Sequence, residues 1–109
     1  MKTFYHVTLL ENWKSIKENG LIPKIGELSK LIDETQKRIY LFPNIEDMEN
    51  ALYNWLGETI NDLYGEDIEC CSLKITLPDD FPIENGDVEY EVYSYQKIPS
   101  QYISFFREE

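Results

Sequence analysis

The only histidine, His6, stands near the start of the chain in Tyr5-His6-Val7-Thr8. Read as a strand, this segment puts His6 and Thr8 on one side, because alternate residues share a face. An imidazole and a hydroxyl so placed can hold a ribose hydroxyl or a phosphate-bearing ligand. The same residues also have an ordinary structural use. Thr8-x-x-Glu11 has the form of a capping box, with Thr8 as the N-cap of a helix. Spacing alone favours that use. Tyr40, in Ile39-Tyr40-Leu41-Phe42, can stack on a flat heterocycle, although most of the eight tyrosines must serve core and rim packing. Glu89 and Glu91 fall in a strand pattern over 88–95, on one face with Tyr93 and Tyr95. Two carboxylates there repel each other and can border a cleft. They equally suit an edge strand that faces water.

The two cysteines, Cys70 and Cys71, are adjacent. Strand neighbours point to opposite faces, so a disulfide between them is not expected. Two neighbouring thiols and a distant histidine do not make a zinc site either. The expected arrangement is one buried thiol and one exposed.

The elements that must position these residues can be read from periodicity. Phe4 to Val7 is β-rich, and Leu10, Trp13 and Ile16 follow at helical spacing to an Asn19-Gly20 stop. Residues 24–37 read as a loop with at most one helical turn. Arg38 to Phe42 is a second strand. Asn44 can cap a helix with Ile45, Met48, Ala51, Leu52, Trp55 and Leu56 on its apolar side. Gly57 either ends that helix or bends it, since Ile60, Leu63 and Tyr64 continue the period to Gly65. Strands follow at 69–77, with Cys71, Leu73, Ile75 and Leu77 inward, then at 88–95 and through Ser104 to Phe106. Two main helices packed on a small, mostly antiparallel sheet of about five strands predict a single α+β domain over 1–109.

Composition limits the partners. The chain has 109 residues, 10 Lys plus Arg against 21 Asp plus Glu, and a formal net charge of -11. Its 42% hydrophobic and 14% aromatic content is too rich for a disordered acidic tail. With only Arg38 and Arg107 as arginines and no basic cluster, nucleic-acid binding through phosphates is disfavoured. No apolar run is long enough for a membrane span, and Glu11 comes too early for a signal peptide, so a cytoplasmic protein is expected.

Taken in order, Tyr5-His6-Val7-Thr8, Gly20-Leu21-Ile22-Pro23, Ile39-Tyr40-Leu41-Phe42, a late strand glutamate and Ile98-Pro99-x-x-Tyr102-Ile103 resemble the small ADP-ribosyltransferase fold. The likeness is to its His-Tyr-Glu branch, which includes diphtheria-toxin-like enzymes and bacterial relatives that modify DNA. The resemblance implies NAD as co-substrate. It implies that His6 and Thr8 contact ribose and that Tyr40 stacks on nicotinamide. It further implies that Glu91, with Glu89 as the alternative, orients the reacting ribose. The acceptor it favours is a protein or a small molecule, since an acidic surface repels a DNA backbone. A toxin or phage anti-defence context fits such a module. A second class of function fits the charge: a non-enzymatic acidic inhibitor that mimics DNA and fills the basic channel of a partner protein. Its candidate surface is the acidic block at 44–69: Glu46, Asp47, Glu49, Glu58, Asp62, Glu66, Asp67 and Glu69.

Overall fold

The computed structural model describes residues 1–23, 38–86 and 92–109. Strand β1 (Lys2–Leu9) runs antiparallel to β3 (Cys70–Leu77), with Phe4 opposite Ile75 and His6 opposite Leu73. The other edge of β3 pairs with β6 (Ile103–Glu108), with a register shift between Ser72 and Leu73. In a second sheet, β5 (Val92–Ser94) lies between β2 (Ile39–Leu41) and the two-residue β4 (Glu84–Asn85). Two backbone hydrogen bonds join the sheets, Tyr5 N–H to Phe42 O at 2.9 Å and Phe42 N–H to Tyr5 O at 2.7 Å. Across that bridge the strands run in the order β4-β5-β2-β1-β3-β6.

Three α-helices complete the described residues: α1 (Trp13–Asn19), α2 (Ile45–Tyr53) and α3 (Trp55–Tyr64). The fold is α+β, with helices before β3 and strands after it, as expected. Among the described residues no helix is long and apolar enough to cross a membrane. The expectations for 24–37 and for the first part of the 88–95 strand lie outside the described residues.

The central strand β3 is covered on one face along its length and on the other at its start. On one face Cys71, Leu73, Ile75 and Leu77 are fully buried against Phe4 of β1, Ile16 of α1, and Ile39, Leu41 and Val92 of the second sheet. On the other, Cys70 meets Tyr5, Phe42 and the inward side chains of α2 and α3: Met48, Ala51, Leu56 and Ile60. Each such aliphatic side chain contributes about 1.5–3 kcal/mol by leaving water. The expected exposed thiol is therefore absent: Cys70 and Cys71 are both buried. Alternation on one strand could not reveal that a helical pair covers the start of its second face.

Two local expectations are corrected. Thr8 is not a helix cap, because β1 keeps its pairing with β3 through Thr8 opposite Cys71 and Leu9 opposite Cys70. A 3₁₀ turn, Leu10–Asn12, then leads into α1 with no side-chain cap. Ladder hydrogen bonds hold Thr8 in the strand, and its hydroxyl accepts from Asn12 Nδ2 at 3.2 Å.

The second correction concerns the long helical stretch. It breaks at Asn54, with φ -121° and ψ -116°, and not at Gly57. Position 57 lies inside α3 and requires glycine, because a Cβ there would stand 2.0 Å from the Leu52 carbonyl oxygen. The break turns Trp55 outward to 49% exposure, so it is not a core residue. The expected Asn44 cap is present: its Oδ1 accepts from Asp47 N–H at 2.7 Å.

Candidate functional site

His6 and Tyr40, 34 residues apart in sequence, meet where the two sheets join. The half-buried imidazole lies with Nδ1 2.7 Å from the Tyr40 carbonyl oxygen. A carbonyl only accepts, so Nδ1 carries the proton in this contact. Tyr5 and Phe42 exchange both of their backbone bonds. In an antiparallel ladder the next pair to do so would be Val7 and Tyr40. Instead the Tyr40 carbonyl receives the His6 ring. The imidazole thus replaces a ladder donor at the point where β1 and β2 separate into different sheets. Val7 presents its own N–H and C=O on the same edge of β1. Thr8, two residues beyond His6, shares its side of the strand.

Tyr40 is opposite Tyr93 in the β2–β5 register, and their rings meet edge to face with centroids 6.2 Å apart. Tyr93 contacts Tyr95 in the same way at 5.3 Å. Strand alternation explains the face. Ile39, Leu41, Val92 and Ser94 are buried, whereas Tyr40 and Tyr93 are half-buried and Tyr95 is exposed. The expected grouping of Tyr93 with Tyr95, opposite Val92, is therefore observed. Over these rings lies Arg38, two residues before Tyr40. Its guanidinium carbon is 4.4 Å from the Tyr93 centroid, 5.9 Å from that of Tyr40 and 5.8 Å from that of Tyr95. Such stacking holds a cation on the face and is worth about 0.5–1 kcal/mol at an exposed site. Glu84 of β4 sits opposite Tyr93. The hydrogen bond with Tyr95, followed by desolvation, raises the Tyr93 phenol above its usual range.

Of the residues singled out in the sequence, His6 meets the backbone of Tyr40, and Thr8 shares the His6 side of β1 with its hydroxyl bonded to Asn12. Glu89 and Glu91 lie outside the described residues. Arg38 and Glu84 were not singled out for this face. Arg38 had a legible signal, since positions 38 and 40 of one strand share a side. Glu84 had none, because a strand of two residues leaves no pattern.

The cysteines offer no nucleophile here. Burial, with the nearby acidic groups, pushes the Cys71 thiol from its usual 9.0 up to about 11. Burial likewise raises Cys70, and the thiolates needed for attack are scarce at neutral pH. Among the described residues no group of three or more His, Cys, Asp or Glu is placed to hold a metal ion. Compared with models of protein families, with curated proteins and with solved structures, the chain has no match.

Proposed function

We propose that this chain is an NAD-dependent mono-ADP-ribosyltransferase that transfers ADP-ribose to a protein or small-molecule acceptor. The observation that carries the reading is the 2.7 Å contact between His6 of β1 and the Tyr40 carbonyl of β2. It sets the His6 ring against the Tyr40 backbone, 34 residues away in sequence, which supports the reading. In the proposed complex the Tyr40 ring stacks on nicotinamide, within a face already lined by Tyr93. In the same complex the Val7 N–H and C=O, on the β1 edge that faces β2, pair with the acceptor and donor of the carboxamide. His6 and Thr8 hold the ribose side. Arg38, fixed over Tyr93, adds positive charge for the pyrophosphate on an otherwise acidic protein.

The chemistry is an exchange at the ribose anomeric carbon. The N-glycosidic bond breaks, and nicotinamide leaves with the electron pair. The acceptor then bonds to that carbon and gives up a proton. The ribose carries developing positive charge in between, so a carboxylate beside its hydroxyls lowers the barrier, as in glycoside hydrolysis. Glu91 is the proposed carboxylate, with Glu89 as the alternative.

Nicotinamide release from NAD, followed chromatographically, tests the activity and assigns the carboxylate. Glu91→Gln is expected to cut the rate by about 10²–10³, the usual cost of removing one electrostatic stabiliser, with Glu89→Gln close to wild type. The reverse order reassigns the role to Glu89. Equal rates for wild type and both variants would remove the enzymatic reading.

A further inference from the structure

A separate feature lies on the far side of the β1–β3–β6 sheet from the second sheet. Helices α2 and α3 and the end of β6 line a groove of about 340 Å³. Leu52, Ile60 and Ile68 give it an apolar side. Glu49, Glu66 and Glu109 also line it, with Arg107 among them. Arg107 Nε donates to Glu109 Oε2 at 2.5 Å, and Nη2 lies 3.8 Å from Glu49 Oε2. Three carboxylates against one guanidinium leave a local excess of two negative charges. Tyr53, which also lines the groove, is 81% exposed, and Trp55 follows it across the helix break. Tyrosine and tryptophan are the side chains enriched where protein partners dock.

We infer that this groove docks an extended segment of a partner protein that carries an arginine or lysine. The complementarity is one of shape and charge together. A basic side chain has an apolar stem and a cationic head, and the groove offers an apolar side and surplus carboxylates in the same sense. Arg107 already displays the chemistry, since Glu109 accepts its Nε–H and Glu49 stands as an ion-pair partner at 3.8 Å. Tyr53 adds a ring face for the incoming cation. At about 340 Å³ the volume is at the small end of the range for binding pockets, suited to one long side chain. A nucleic-acid occupant would meet repulsion from the same acids. A second copy of this chain would bring another net charge of -11. This inference does not rest on the reading of His6 and Tyr40.

The test is fluorescence anisotropy at physiological salt, using the full chain and a labelled peptide of alternating alanine and arginine. Its glutamate counterpart serves as the negative control. Exposed charge outside the groove controls for the general field: Glu18, on α1, is exposed and does not line the groove. Glu66→Lys is expected to weaken peptide binding about tenfold, Tyr53→Ala about fivefold, and Glu18→Lys less than about twofold. All three positions are exposed, and circular dichroism checks that the variants remain folded. Amide NMR shifts on titration should concentrate at Leu52, Tyr53, Asn61 and Ile68. Equal losses for Glu66→Lys and Glu18→Lys, or shifts spread over the whole acidic surface, would overturn the proposal. No binding of the arginine peptide at millimolar concentration would do the same.

Discussion

The His6–Tyr40 junction and the α2–α3 helical pair are organised at opposite ranges of sequence. At the junction, the decisive contact spans 34 residues and depends on how two strands separate after a single bridge. In the helical pair, the polar contacts are nearly all local. Asn44 caps its own helix, Asn54 Nδ2 donates to Asn50 O, and Thr59 donates to Trp55 O, all three or four residues apart. A long-range contact fixes one geometry among strands and so suits a site where a small ligand must be gripped. A locally built surface can vary its outer residues freely, which suits an interface read mainly by charge and exposed rings.

That contrast can be broken from the helical side. Gly57→Ala should give the largest stability effect, because the new Cβ would fall 2.0 Å from the Leu52 carbonyl oxygen. The backbone of both helices must shift to admit it, at a cost of about 2–3 kcal/mol, despite the better helix propensity of alanine. Thermal unfolding by circular dichroism measures it, and an unchanged melting temperature would show that the helix break tolerates a side chain. Asn44→Ala should cost less, about 1 kcal/mol, through loss of the cap to Asp47. Denaturant unfolding resolves that difference, and a drop above about 2 kcal/mol would give Asn44 a role beyond its local one.

The same contrast explains what the sequence made legible. The Asn44 cap and the inward Cys71, Leu73, Ile75 and Leu77 follow from local rules and are all observed. The α+β class follows from the order of those segments. Thr8 and Glu11 match a capping box by type and spacing, yet pairing of Leu9 with Cys70 keeps the chain extended past the expected cap. Trp55 fits the apolar period of a straight helix. The break at Asn54 turns it outward, and periodicity has no means of registering a bend one residue earlier. For the site, His6 and Tyr40 could be chosen by residue type and order. Their contact through a backbone carbonyl could not be foreseen, because it depends on a strand pairing that stops after one bridge. Arg38 over Tyr93 has the same origin, since it requires the β2–β5 register.

Calorimetric titration with NAD tests the central claim, that this junction is a dinucleotide site, most directly. Wild type should bind with measurable heat. Tyr40→Phe should retain binding, because the ring remains, and Tyr40→Ala should weaken it about tenfold or more through loss of the stacking surface. Absence of heat at millimolar NAD, or equal affinity for wild type and a folded Tyr40→Ala, would contradict it.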